Sequence, residues 1–369
     1  LIKFLDLSSQ YQSLKPEIDS AIAGVLESAT FIGGPEVSSF ESEFAAYQSA
    51  RHCIGVANAT DGLEIAIEAL ELPAGSEIIV PANSFIASSE AVTRSGHKVV
   101  FIDPDSDTYC VTASGIAAAI TERTRAIVVV HLYGQPADLR DILHLAKSKN
   151  LRIIEDAAQA HGAELDGQRV GAIGDIGVFS FYPGKNLGAY GDAGAIVTNH
   201  ADLAKKARMI ANHGRTAKYD HEFEGRNSRL DSIQAAILRV KLRHLDSWIE
   251  RRNAVAAIYQ ERLAALPDLT LPSVMRDRVR HAYHLYVIRT SQRDALAAHL
   301  SGQDISTGIH YPVALPNLRA YGYLDQPSTP FTSTDHAGQL LSLPIGEHMS
   351  TAQAESVANA VRAFFEKNP

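Results

Sequence analysis

Seven short apolar runs punctuate the first two hundred residues: HCIGVA at 52–57, EIIV at 77–80, KVVFI at 98–102, AIVVV at 126–130, LRIIE at 151–155, GVFSF at 177–181 and GAIVT at 194–198. Runs apolar at successive positions have no solvated face, so they predict strands buried on both sides of a mostly parallel sheet, with helical segments crossing between several of them. Between the first two runs, Leu63, Ala66, Ile67 and Leu70 fall at i, i+3, i+4 and i+7, which predicts a helix packing one face on the sheet, with Thr60 as its N-cap. Ser38 and Glu41 form a capping-box pattern before Phe44 and Tyr47, so another helix is expected to begin there. Beyond Leu230 the rhythm changes. Helix-forming text runs to about Leu266, HAYHLYVIRT and DISTGIHYP read as strands separated by a helix near 291–300, and a last helix is expected from about Thr351 to Glu366. The expectation is an α/β chain: a large domain over residues 1–240, including an N-terminal arm, and a smaller α+β domain over residues 241–369.

Composition narrows the chemistry. With 46% hydrophobic and 21% charged residues in 369, the chain is an ordinary globular one. A formal charge of -8 lacks the basic footprint that nucleic-acid binding needs, so small-molecule chemistry is expected instead. Cys53 and Cys110 are the only cysteines and form no C-x-x-C pair, and His281 and His284 lack metal-ligand spacing, so neither a disulfide framework nor a metal is assigned. No apolar run approaches the ~18 residues a membrane crossing needs, and LIKFLDLSSQ has neither the apolar region nor the cleavage site of a signal peptide; a cytoplasmic chain is expected.

Ligands of an open parallel sheet collect outside the carboxyl ends of its strands, so the residues following each run carry most weight. After the first comes NATDG, whose helix N-terminus offers free N–H groups to a phosphate or serves only as a cap. LRIIE is followed by Asp156, a strand-end carboxylate that needs a cationic partner, either a structural arginine or a protonated ring nitrogen. The third feature is FSFYPGKNLGAYGDAG, where Lys185 sits among Gly184, Gly188, Gly191 and Gly194. Alone it reads as an exposed turn. Together, a phosphate cradle, a strand-end acid and a glycine-lined lysine are the parts that pyridoxal 5'-phosphate requires: the acid keeps the ring nitrogen protonated, the lysine is the nucleophile, and Ser180 adds a hydroxyl for the phosphate. A nicotinamide-dependent oxidoreductase would show G-x-G-x-x-G after its first strand; GAIGDIG at 171–177 has the wrong spacing and precedes a strand.

Ordered along almost the whole chain, FLDLSSQY, FIGGPEVSSFESEFA, NATDG, VPANSFIASSEAV, EDAAQAHGA, FSFYPGKNLGAYGDAGAIVTN, NHGR, GRNSRLDSIQAAIL and TGIHYP closely resemble the DegT/DnrJ/EryC1/StrS family of sugar aminotransferases. The resemblance implies the type I fold of pyridoxal-phosphate-dependent transferases, with a seven-stranded, mostly parallel large-domain sheet and a smaller α+β C-terminal domain. It makes Lys185 the Schiff-base lysine, Asp156 the partner of the ring nitrogen and Gln159 a contact to the ring hydroxyl. Ala59 and Thr60, through their amides and the Thr60 hydroxyl, and Ser180 would hold the phosphate. Phe85 would stack on the ring, unless it is simple core. The resemblance also implies a homodimer with shared active sites, in which Asn227 reaches the partner's cofactor. Tyr182, Arg215, Arg229, His310 and Tyr311 are candidate substrate contacts; surface ion pairs would explain the arginines equally well, and a turn or a strand the His310–Tyr311 pair. Alanines at 59 and 193 replace glycines common in the family. A dehydratase branch carries histidine where this chain has Lys185, which favours transamination. The implied substrates are L-glutamate and a keto-sugar, nearest to a nucleotide-linked 3-keto-6-deoxyhexose or related 3-keto sugar, for surface polysaccharide, lipopolysaccharide or glycoside biosynthesis. An oxidised 3-deoxy-octulosonate is an alternative, and a non-catalytic pyridoxal-phosphate-binding regulatory protein is another of a different class.

Overall fold

The computed structural model describes residues 1–274, 278–324 and 331–367. Each apolar run is a strand of one sheet: β1 (His52–Val56), β2 (Glu77–Pro81), β3 (Lys98–Ile102), β4 (Thr124–Val130), β5 (Arg152–Asp156), β6 (Ile176–Ser180) and β7 (Gly194–Thr198), in the order β1-β7-β6-β5-β4-β2-β3. Neighbours from β6 to β3 are parallel, whereas β7 runs antiparallel to both β1 and β6. An antiparallel neighbour needs no helical crossover. That is why the link from β6 to β7 is free to be a loop, and Lys185 lies in it.

Alternation along the strands divides the core. Ala126, Val128 and Val130 of β4 join one cluster with Ile78, Val80, Ile154 and Val178, while Ile127 and Val129 join the opposite one with Ile79, Ile153 and Phe179. Helices α1 (Leu7–Ser28), α2 (Gly34–Tyr47), α3 (Ala59–Ala69) and α4 (Ala87–Arg94) belong to the large domain, and α5 (Ser232–Leu242) follows the sheet. On the core side, α3 contributes Leu63, Ile65, Ala66 and Ile67 to one cluster, whereas α2 contributes Phe40 and Phe44 to the other. Helix α6 (Leu245–Leu263) begins on the large core through Leu245 and Ile249 and ends in the small one through Tyr259 and Leu263. The smaller domain packs α6, α7 (Arg293–Ser301) and α8 (Thr351–Lys367) with the antiparallel pair β8 (Tyr286–Arg289) and β9 (Leu340–Leu343). No helix among the described residues is long and apolar enough to cross a membrane.

Five local expectations change. Helix α2 starts at Gly34, not near Ser38, because Gly33 and Gly34 take φ of 67° and 80° and Pro35 enters the first turn. The Ser38 hydroxyl instead donates to the Pro35 carbonyl, and Glu41 accepts from the Gly55 amide across to β1. The cap of α3 is Asn58 rather than Thr60: Asn58 Oδ1 accepts from the Asp61 amide at 2.8 Å. That helix is also buried on more than one face, since Glu64 is only 4% exposed and pairs with Arg94 and Arg226. DISTGIHYP forms no strand; it contributes isolated bridges, Ile305 to Ile2 and Gly308 to Ser342, and HAYHLYVIRT is extended only over β8.

Candidate active site

Because the strands run parallel, their carboxyl ends share one edge, and most of the proposed cofactor residues gather there. Gly194, the first residue of β7, pairs with Val56 on one side and Ser180 on the other, which brings the start of α3 beside the Ser180 hydroxyl. A Cβ on Gly194 would lie 2.7 Å from the Asn58 carbonyl carbon and 2.9 Å from the Ala59 nitrogen, so only glycine allows this approach. The cap uses the Asp61 amide, and the Asn58 carbonyl takes the Gly62 amide. The amides of Ala59 and Thr60 then have no acceptor among the described residues, a cradle of free donors at a helix N-terminus. Ala59 and Ala193 are absent from the residues of positive φ, so the methyl groups replacing the family's glycines introduce no backbone strain.

Asp156, 5% exposed, ends β5 opposite Val178. Its Oδ2 accepts from Ser88 Oγ at 2.6 Å and its Oδ1 from the Ala158 amide at 3.1 Å, so the carboxylate is held by neutral donors. Ser88 in turn bonds Ser84 at 2.7 Å. Gln159 is oriented from both ends: Oε1 accepts from the Tyr133 amide at 2.7 Å, and Nε2 donates to the Tyr311 hydroxyl at 3.0 Å. Tyr133 holds a φ of 60°, a conformation unfavourable for a tyrosine, and its hydroxyl donates to the His310 carbonyl.

The loop bearing Lys185 folds back on β6, with the Lys185 amide donating to the Tyr182 carbonyl and the Ala189 amide to the Phe181 carbonyl, both at 2.8 Å. A Cβ on Gly188 would meet the Pro183 carbonyl oxygen at 2.3 Å; around Gly184 the nearest atom, Leu5 Cδ2, is 3.4 Å away. Close backbone approach, not left-handed conformation, is thus what this loop demands of Gly188 and Gly194. Burial pushes the Lys185 amine down to about 8 while the Asp156 charge opposes the fall. Lys185 lines a cavity of about 240 Å³ together with Tyr182, Arg252, His284, His310 and Tyr311, closed on one side by Phe4 and Leu5 of the N-terminal arm. Burial and the Lys185 charge push His310 down to about 4 and His284 well below the ordinary histidine value, so both rings are neutral near pH 7.

Phe85 is half exposed and its ring lies 5.7 Å from Tyr311, while Tyr182 is exposed at the cavity rim. Phe85 is therefore not core. Arg215, Asn227 and Arg229 do not join this cavity, and their side chains make no hydrogen bond or ion pair among the described residues. They follow the sheet in a segment tied down by Arg226 to Glu64 and Glu68, and by the Ser228 hydroxyl accepting from the Ala57 amide at 3.2 Å. GAIGDIG has an internal use: the amides of Gly171, Ile173 and Gly174 wrap the buried carboxylate of Glu155, which also bonds His131 at 2.9 Å.

Sequence reasoning missed Ser88, Tyr133, Asn186, Arg252 and His284. Ser88 and Tyr133 follow strands β2 and β4, the positional signal that singled out Asp156, but their hydroxyl and amide roles depend on partners 68 and 26 residues away. Asn186 bonds the Ala282 carbonyl and His284, joining the Lys185 loop to the segment that leads into β8.

An α/β sheet whose carboxyl edge assembles free helix-start amides, a buried acid and a desolvated lysine in a glycine-lined loop defines a pyridoxal-phosphate-dependent aminotransferase. The DegT/DnrJ/EryC1/StrS aminotransferase family matches residues 12–362, and the chain belongs to it. It is 46% identical over 367 residues to the dTDP-3-amino-3,4,6-trideoxy-alpha-D-glucose transaminase of Streptomyces venezuelae, covering 99% of this chain and 97% of that one. The dTDP-3-amino-3,6-dideoxy-alpha-D-galactopyranose transaminase of Aneurinibacillus thermoaerophilus is also 46% identical, over 364 residues and 99% of each chain. Among solved structures, that of S. venezuelae DesV in complex with a ketimine intermediate superposes with a TM-score of 0.96 at 45% identity, over 99% of this chain and 98% of that one.

Proposed function

We propose that this enzyme moves the amine of L-glutamate to the C3 carbonyl of a nucleotide-linked 3-keto-6-deoxyhexose, with dTDP as the nucleotide. The observation that carries the chemistry is the Lys185 amine, desolvated at the wall of a cavity and electrostatically coupled to Asp156. The two relatives named above, both described as transaminases of dTDP-linked 3-amino sugars, support the choice of sugar and carbon.

Bound pyridoxal phosphate supplies an electron-withdrawing ring that stabilises negative charge developing at the substrate carbon. In this reading Asp156 holds the ring nitrogen protonated, with Ser88 and the Ala158 amide fixing its two oxygens. The free amides of Ala59 and Thr60, with the Thr60 and Ser180 hydroxyls, bind the phosphate. Gln159, its oxygen occupied by the Tyr133 amide and one Nε2 proton by the Tyr311 hydroxyl, would offer its second Nε2 proton to the ring hydroxyl, and Phe85 would cover a ring face. Lys185 would hold and return the proton removed from the substrate carbon, a role suited to an amine that burial has made less basic than an ordinary lysine. Tyr182, His310 and Tyr311 line the path of the sugar. Arg215, Asn227 and Arg229, whose side chains have no hydrogen-bond or ion-pair partner among the described residues, act on the site of a second copy in a homodimer.

Incubation of the purified protein with glutamate and a panel of dTDP- and UDP-linked keto-sugars, with products identified by mass spectrometry, tests the proposal. Amination of the dTDP-linked 3-keto sugar is expected. Turnover confined to a 4-keto or UDP-linked sugar would overturn the substrate assignment.

A further inference from the structure

Lys241 is the one lysine among the described residues that is fully buried, yet it has no carboxylate within ion-pair distance. It lies near the end of α5, and its Nζ donates to the Gly188 carbonyl at 2.6 Å while resting 4.1 Å from the centre of the Tyr190 ring. Burying an ammonium without a direct ion pair is unfavourable, the Glu347 carboxylate offsetting only part of the cost from beyond contact distance, and a methionine or leucine would fill the same volume without that penalty. What the ammonium contributes instead is a directed, charge-assisted hydrogen bond to one carbonyl of the Lys185 loop, three residues beyond Lys185. Gln234, seven residues earlier on the same helix and so on the same face, accepts from the Tyr190 amide at 2.8 Å. From the opposite side, Gly188 is pressed against the Pro183 carbonyl. The turn from 185 to 190 is therefore gripped from behind at two backbone groups by a single helix, which α1 covers through Leu14 and Ile18 against Ile237 and Val240.

We propose that Lys241 is a positioning residue for the transamination reaction, its ammonium clamping the Gly188 carbonyl so that the Lys185 amine is presented to the cofactor in a desolvated, reactive placement. The proposal rests on Lys185 being the residue joined to the cofactor. A misplacement of about 1 Å at a reacting group suffices to reduce turnover about 100-fold. Loss of the clamp is accordingly expected in kcat rather than in substrate binding.

The test compares wild-type, Lys241→Met and Gln234→Leu proteins. Borohydride reduction of each holoenzyme followed by peptide mass mapping first establishes whether the cofactor is joined to Lys185. If the wild type shows no adduct there, the underlying assignment and this proposal fall together. With the adduct present, Lys241→Met is expected to lower kcat about 10- to 100-fold with the sugar KM within about twofold. In the apo-protein, competitive acetic anhydride labelling of Lys185 against pH should show its midpoint moved upward from about 8, as the loosened loop lets water reach the amine. Gln234→Leu should move both readouts the same way by less, and it carries the test if Lys241→Met does not fold. A folded Lys241→Met protein with a lower melting temperature but unchanged kcat and unchanged Lys185 labelling would make Lys241 a stabilising contact only, and would overturn the proposal.

Discussion

Replacing Asp156 with asparagine should move two properties of the site in opposite directions. The carboxylate raises the basicity of Lys185 against the effect of burial, and the balance leaves the amine near 8. At pH 7.5 about a quarter of the molecules then carry a neutral Lys185, against roughly one in a thousand for an ordinary lysine. Removing a nearby opposite charge lowers such a value by about one unit, which raises the neutral fraction to about three quarters. Acetylation of Lys185 in the apo-protein at pH 7.5 should therefore become about threefold faster. Turnover should instead fall by at least about 100-fold, the order of magnitude for losing one preorganised electrostatic partner of the reacting system. The fold should survive, because the amide still accepts from the Ala158 amide and still reaches Ser88, at a loss of about 1 kcal/mol. Labelling that slows or stays constant would refute the electrostatic coupling of the two residues. Turnover within tenfold of wild type would refute the role of Asp156 at the ring nitrogen.

Lys185→Met should stabilise the apo-protein near neutral pH by up to about 3 kcal/mol in a denaturant titration. A lysine whose basicity is depressed by folding opposes burial in full below pH 8, and that opposition fades as pH rises from 8 to the unfolded value of 10.5, so the gain should shrink over the same window. Gly188→Ala forces a methyl against the Pro183 carbonyl oxygen and should destabilise the protein by about 1–3 kcal/mol or more, while Gly184→Ala, with 3.4 Å of clearance, should melt within a few degrees of wild type. Co-expressed chains carrying Lys185→Ala and Asn227→Ala should regain roughly a quarter of wild-type activity if sites are shared across a two-fold dimer, since half of the sites in mixed dimers are then intact. Activity no higher than that of the two separate variants would argue that Asn227 does not act across subunits.

Much of this enzyme could be read before any fold was known, because the signals are local. Each of the seven strands is a run apolar on both faces, and Asp156 and Lys185 stand where a strand end and a glycine-lined loop put chemistry. What failed was also local but ambiguous. Asn58 and Thr60 are both good caps, and only the fold shows that the Asp61 amide turns to Asn58. Ser38 and Glu41 have the spacing of a capping box, yet Glu41 is drawn away to the Gly55 amide by the packing of α2 on β1.

The order and spacing of side chains in the chain thus determined the sheet, the cofactor class and the positions of the two candidate residues, Asp156 and Lys185, since hydrophobic periodicity and backbone thinness are properties of consecutive positions. Tertiary structure alone decided how those residues are tuned. Ser88 on Asp156, Tyr133 on Gln159, Asn186 against His284 and Lys241 on Gly188 join residues 26 to 98 positions apart. Desolvation of the Lys185 amine likewise exists only once distant segments exclude water around it. Neither a partner's identity nor a dielectric environment is written in local spacing, so both had to await the packed molecule.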